Sequence, residues 1–349
     1  MEENRADRAT TDDRKGSEAT EKVTSAGMTR RRTLRLSGLL GMGGLVGVTG
    51  AGVDGVAAAP RNDNRTEEQI HLDYDDYDSW DDVYRRTSGD SDNISFVSDP
   101  TYSGDTATEI RIREGSNWGV STHYDFEDGL LELNGRVRFA LDDDWAMGGR
   151  EIANCRLWNC AMGLGPGSAG GGIPDGTNGW SNRMYVTNKG TDPDGPFHLL
   201  SNSYNMDRIH DSDYIIAGED HTVQEVEISP GEWYEFEYYV CMNTVDNGVA
   251  NSDGVVRYWL DGDLIYDRQN FRFTEDLENN IIDTSGPVGH YGGRYEAPQD
   301  LSVYYDDHSM VLDGTFDDEP EEPEQPEETD PITRIVLPDW IELPDGVTL

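Results

Sequence analysis

The sequence predicts an all-β protein, one sandwich of the jelly-roll kind, and three observations carry that expectation. Short segments alternate apolar and polar residues, as half-buried strands do. Gly, Asn and Asp turns separate them, with hardly any helical period. The pattern persists over residues 74–314, enough chain for one sandwich of many short strands.

The flanks carry other patterns. Residues 1–27 are polar and charged and are expected to be disordered. Residues 28–59 place Arg30, Arg31 and Arg32 before a short, Gly-rich apolar run ending in Ala57-Ala58-Ala59. This is the pattern of a twin-arginine signal peptide with an A-x-A-like cleavage site, too short and too rich in glycine for a membrane span. It implies a protein folded in the cytoplasm and then exported, hence secreted and without stable membrane insertion. Residues 60–73 form a polar linker, and residues 315–349 an acidic, Pro-rich tail that should stay extended.

Within the domain, Glu109 to Arg113 alternates. Leu130 to Phe139 predicts two strands turning at Asn134-Gly135, a dipeptide suited to a two-residue hairpin. Trp233 to Met242 sets Tyr234, Phe236, Tyr238, Val240 and Met242 on one face, with Glu235, Glu237, Tyr239 and Cys241 on the other. Val255 to Tyr266 predicts a hairpin at Asp261-Gly262, and Val303 to Leu312 a final strand. Cys155 and Cys160 are near enough in sequence for a small disulfide loop in an oxidising compartment.

Asp and Glu number 70 against 27 Lys and Arg, a net charge of −43, and after residue 60 the only lysine is Lys189. Such an excess fits a halophilic protein, because concentrated salt screens the self-repulsion. There is no basic patch of the kind that phosphate backbones need, so nucleic acid is not an expected partner. No Cys/His spacing suits zinc, and the oxygen-rich Asp246 to Asp253 loop lacks the regular spacing of an EF-hand. The expectation is a monomer without metal or cofactor.

Gly163 to Thr187 is the most informative stretch. It opens as a loop too rich in glycine for helix or strand and closes as a strand, Trp180 to Thr187. Trp180, Asn182, Met184 and Val186 share one face; Ser181, Arg183, Tyr185 and Thr187 share the other. Hydroxyl, guanidinium and phenol side by side make a poor core but a suitable floor for a groove gripping an anionic ligand.

Several stretches taken in order resemble polysaccharide lyase family 14, the alginate-lyase-like group, in a haloarchaeal form with a twin-arginine signal. They are Pro166-Gly167 followed by Gly170-Gly171-Gly172, then Ser181-Asn182-Arg183, then Trp233, Glu237, Val240, Asn243 and Thr244. Asn251, Asp253 and Gly254 follow, with Tyr258-Trp259, Asp261-Gly262, Tyr291-Gly292-Gly293 and Tyr304 to Asp307. The resemblance implies a concanavalin-like β-jelly roll that cleaves an acidic polysaccharide by β-elimination. It implies Arg183 and Ser181 as groups that neutralise the uronate carboxylate. His198, Tyr185 and Tyr204 are candidates for proton transfer, and Asn182, Tyr204, Tyr239 and Tyr291 for substrate binding. Two positions depart from the family pattern. A lysine expected just before Leu-Pro-Gly is Leu164 here, and one register of the Tyr-x-Tyr pair puts His198 and Leu200 in the tyrosine positions.

A non-catalytic carbohydrate-binding sandwich is the second expectation, favoured by those departures. Glycoside hydrolysis by Glu235 and Glu237 ranks last, because the E-x-D-x-x-E strand of laminarinase-like sandwiches is absent.

Overall fold

The computed structural model describes residues 68–148, 154–169, 172–189, 192–208, 214–216, 226–292 and 295–316. The expected signal peptide and, after residue 316, the acidic tail lie outside these residues. The expected linker over 60–73 is not irregular throughout, because Glu68–Leu72 is a strand that pairs with the last strand of the sandwich. The described chain is two antiparallel sheets packed face to face. The first runs in the order β16 (Asp263–Phe271), β15 (Gly254–Leu260), β12 (Trp233–Cys241), β6 (Glu132–Leu141), β18 (Leu301–Leu312), β4 (Ala107–Ile112) and β3 (Ile94–Val97), with β1 (Glu68–Leu72) pairing β18. The second runs β10 (Tyr214–Ile216), β9 (Phe197–Tyr204), β8 (Trp180–Thr187), β7 (Asn154–Gly163), β17 (Ile282–Tyr291), β5 (Trp118–Leu130) and β2 (Arg85–Gly89), with β11 (Glu227–Ile228) pairing β9. A small hairpin, β13 (Val245–Asp246) and β14 (Val249–Ala250), stands apart.

The core is the sum of the inward faces. β12 supplies Phe236, Tyr238 and Val240, and the second sheet answers with Trp158, Met184, Val186 and Leu199. Trp158 sits 5.1 Å from the Tyr305 ring and 6.4 Å from that of Tyr238, across the space between the sheets. Burying side chains of this size contributes roughly 1.5–3 kcal/mol each. Two phenols are satisfied from the opposite sheet: Tyr305 donates to the Leu157 carbonyl at 2.6 Å, and the Tyr238 and Ser285 hydroxyls bond at 2.8 Å.

The Asp261-Gly262 hairpin forms as its sequence predicts. Both residues take positive φ, 51° and 86°, and close the Leu260–Asp263 pair as a primed turn does. Asn134-Gly135 makes no turn; β6 runs straight through it. The Asn134 amide donates to Glu237 and to the Tyr238 carbonyl, and a Cβ on Gly135 would strike the Tyr238 ring at 2.1 Å. The dipeptide is there for close approach across the sheet. The disulfide is also corrected. Cys155 and Cys160 are free, buried residues of one extended strand, about 16 Å apart at 3.3 Å per residue.

Candidate functional site

The register of the second sheet decides which side chains share its outer face. β8 faces β7 and β9 so that Arg183 stands between Asn159 and Asn202, Tyr185 between Arg156 and Leu200, and Ser181 between Met162 and Tyr204. Beyond β7, His290 lies opposite Arg156 and Trp118, and Thr284 lies opposite Met162 and Asp125. Gly286 lies opposite Asn159, and a Cβ on it would meet the β5 backbone, with the Thr122 carbonyl and Tyr124 N at 3.4 Å and the His123 Cα at 3.6 Å. Three rows result. The middle one runs Arg85, His123, Gly286, Asn159, Arg183, Asn202 across six strands, with no side chain at Gly286. That missing side chain leaves a gap between His123 and Asn159 about two strand spacings wide, about 10 Å.

This face is buried yet poorly satisfied. Arg156 and Arg183 are 6% and 3% exposed, and among the described residues the Nε of each has no hydrogen-bond partner. Asn159, 1% exposed, leaves both amide atoms unpaired. His123 Nδ1 and Thr284 Oγ1 are likewise alone. Among the described residues neither Arg156 nor Arg183 has a carboxylate partner. The contrast is with the other sheet's outer face, where Arg136 pairs with Glu237 at 2.8 Å, Arg138 with Glu235 at 2.6 Å and Arg257 with Asp267 at 3.3 Å. In a chain so rich in acid, two uncompensated buried cations on one face mark a place built for something anionic.

The neighbours act on one another. Burial, then the guanidiniums of Arg156 and Arg183, lowers His290 to about 3. Burial lowers His123 to about 4, with Arg85, Arg156 and Arg183 acting the same way and Asp125 against them. Burial and the adjacent Arg183 charge bring Arg156 down to about 10. Both histidines are therefore neutral near pH 7. The Tyr204 ring carries Arg183 4.5 Å from its centroid and Arg208 at 3.4 Å, and Arg208 is anchored on Asn202 Oδ1 at 3.1 Å and the Ser203 carbonyl at 3.0 Å. From above, the Gly-rich loop lowers the Ser168 carbonyl onto the face, where it accepts from Ser181 Oγ at 2.9 Å and from Arg183 Nη2.

The candidates named from sequence separate under this geometry. Ser181, Arg183, Tyr185 and Tyr204 share the face. His198 is on it too, but opposite Thr187, about 13 Å along β9 from Asn202, and its Nδ1 lies 2.9 Å from the Val226 carbonyl. The residues facing Ser181 and Arg183 on β9 are Tyr204 and Asn202, while Leu200 faces Tyr185 and His198 faces Thr187. Asn182 points into the sandwich, accepting from Tyr258 at 2.7 Å and donating to Ser203 at 2.9 Å. Tyr291 is a core residue whose hydroxyl accepts the Gly148 N–H at 2.7 Å. Tyr239 lies on the far side of the first sheet and donates to Glu132 at 2.9 Å, with burial pushing its phenol up. These three cannot touch a ligand held by Arg183. Glu235 and Glu237 are on that far side as well, engaged with Arg136 and Arg138.

Other quoted motif residues turn out to hold the fold. Asn243 pins residues 273–274, accepting from the N–H groups of Phe273 and Thr274 and donating to the Thr274 carbonyl. Asp253 takes the Thr244 backbone N–H at 2.8 Å and its hydroxyl at 2.5 Å, fixing the loop whose oxygens resemble a calcium site.

Comparison with solved structures gives the fold its place. The alginate lyase Aly36B matches at a TM-score of 0.52 and 15% identity, over 69% of this chain and 96% of that one. A variant of the same enzyme with bound alginate tetrasaccharide matches at 0.51 and 17%, with the same coverage. The fold is that of alginate lyases. A PL-14 alginate lyase from Aplysia kurodai follows at 0.47 and 16%, over 68% of this chain and 90% of that one. No family model and no curated protein sequence matches the chain.

Arg156, Asn159, His123, Thr284 and Gly286 went unnoticed in the sequence. Bulges between Arg156 and Trp158, and between Asn159 and Ala161, shift the alternation of β7 and hide that Arg156, Asn159 and Met162 share a face. The available signal was three polar residues (Asn154, Arg156, Asn159) inside a strand buried at every position.

Proposed function

We propose that the protein is a secreted polysaccharide lyase that cleaves a uronate-containing polysaccharide by β-elimination on the outer face of its second sheet. One observation carries the reading: two buried guanidiniums and a buried amide, with no acid beside them among the described residues, border a gap left open by Gly286. The alginate-lyase fold supports it.

The chemistry needs a carboxylate made electron-withdrawing, a proton acceptor and a proton donor. Arg183 and Asn159, directly opposite each other, receive the uronate carboxylate and stabilise the negative charge that spreads onto it as C5 loses its proton. His123, neutral and with Nδ1 unpaired, faces them across the gap and takes that proton. A bound carboxylate offsets the field of Arg156 and Arg183, which strengthens His123 as a base when substrate is present. The electron pair forms the C4–C5 double bond and expels O4, which Tyr204 protonates. The phenolate left behind lies beside Arg183 and Arg208. The Ser168 carbonyl on Arg183 must yield to the carboxylate as substrate enters.

Export through the twin-arginine signal, molar-salt adaptation and a monomeric state complete the proposal. A non-catalytic carbohydrate-binding protein is the second reading. It is favoured by Leu164, 47% exposed and apolar where the family resemblance has a lysine. Ultraviolet absorbance during incubation with alginate, glucuronan and other polyuronates in molar salt separates them. Elimination creates a conjugated double bond; binding and hydrolysis do not. Binding without any rise on these substrates would favour the second reading.

A further inference from the structure

Arg183 and Asn159 suffice for one carboxylate, which leaves Arg156 unused. Its guanidinium is as buried as that of Arg183, its Nε is unpaired, and no carboxylate meets it among the described residues. The register puts it opposite Tyr185, two residues along β8 from Arg183. The two Cα atoms are therefore about 8 Å apart, one strand over and two residues along. Next to Arg156 the surface changes character. Trp118, 37% exposed, has the Arg156 guanidinium 5.6 Å from its ring centroid and the His290 ring at 4.1 Å. A cation, a partly open indole and a neutral imidazole in one row form a surface suited to a sugar with an acidic substituent, its C–H face against the indole.

We propose that Arg156, with Trp118, receives the carboxylate of the sugar next to the one held by Arg183, so that the site selects two consecutive uronates over a uronate flanked by neutral sugars. The inference rests on the polyuronate reading above and adds a second point of recognition to it. Charge balance supports it. Arg85 is matched by Asp125 through two bonds of 2.6 and 2.7 Å, so in the rows that hold Arg156 and Arg183 these two are the guanidiniums that no carboxylate meets among the described residues. One carboxylate leaves one of them unanswered in a buried setting; two answer both. The same two cations already weigh on each other, since the Arg183 charge helps to lower Arg156.

The experiment uses the full chain in a Tyr204→Phe background, so that ligand survives the titration, with calorimetry in molar salt. Three oligosaccharides of equal length serve as probes: a homouronate, one alternating uronate with neutral sugar, and a carboxyl-reduced neutral one. The homouronate should bind about tenfold or more tighter than the alternating ligand, as expected for one further charge-assisted, two-pronged contact. Arg156→Gln should remove most of that advantage, and Arg156→Lys should restore part of it by returning the charge without the fork. Uronate binding with no homouronate advantage, or an advantage undiminished in Arg156→Gln, overturns the second carboxylate site and leaves the lyase reading standing. If none of the uronates binds, both fall. Should Arg156→Gln fail to fold, Arg156→Lys decides alone: it must lower the homouronate advantage while leaving the alternating ligand unchanged.

Discussion

Replacing Asn159 by leucine should make the fold more stable and the site useless. The Asn159 side chain is 1% exposed with neither amide atom bonded, and it sits on β7 directly opposite Arg183. Leaving such a group unsatisfied in a buried place costs about 1–3 kcal/mol. Leucine has nearly the same volume, so no cavity or overpacking offsets the gain. The variant should therefore be about 1–3 kcal/mol more stable, or about 2–10 °C in Tm for a domain of this size. Urea unfolding in molar salt measures it, with the midpoint rising and the slope unchanged. In the same variant, uronate binding should fall, because the carboxylate loses the amide donor beside Arg183. A drop in stability at unchanged slope would refute the reasoning, since it would mean that the amide is satisfied in solution and is not held open for a ligand.

Other consequences follow from the same geometry. Gly286→Ala puts a methyl into the gap at φ 143°, 3.4 Å from the Thr122 carbonyl, and should cut kcat/KM about tenfold or more while the strain costs about 1–3 kcal/mol; wild-type turnover in that variant would show that the sugar does not sit over Gly286. Acid should unfold the protein early. His308 is fully buried between the Tyr84 and Tyr238 hydroxyls and burial lowers it to about 3, so it stays neutral in the fold, whereas the unfolded chain protonates it below about 6.5. Stability present above pH 6.5 is thus lost as pH falls toward the folded value, about 2 kcal/mol by pH 5 from this group alone, and His123 and His290 add to the slope in the same direction. Tm measured against pH should fall below 6.5, and a flat profile down to pH 4 would contradict it. Polyanion binding should strengthen from low to molar salt, because the net charge of −43 repels the ligand at long range while the buried arginine contacts are screened less; titration calorimetry showing weakening instead would place the binding surface on exposed cations.

The sandwich was legible because its signals are local. Asp261-Gly262 specifies its own turn, and the alternation of β12 sorts Phe236 and Tyr238 from Glu235 and Glu237 without reference to any other strand. The polar face of β8 was legible for the same reason. What failed depends on partners distant in sequence. Asn134-Gly135 has the local chemistry of a hairpin, but Tyr238 packs onto the glycine and keeps the strand straight. His198 and Tyr204 both alternate onto the correct face of β9, and only the pairing with β8 says that Tyr204 is the one beside Arg183. Tyr291 and Asn182 are polar enough to suggest a ligand, yet they serve Gly148 and Tyr258 inside the protein. Arg156 and Asn159 were hidden by two bulges, which no single-strand pattern reveals.

Elimination chemistry at Arg183 is tested most directly by one comparison of three proteins. Wild-type protein, Arg183→Ala and Arg257→Ala are incubated with polyuronates in molar salt while ultraviolet absorbance is followed. Arg257, on the other sheet and paired with Asp267, is the matched control for losing an arginine. The predicted result is a steady rise for wild type and Arg257→Ala and none for Arg183→Ala, with all three folded by circular dichroism. A rise that survives in folded Arg183→Ala, or no rise from wild type on any polyuronate it binds, would contradict the central claim.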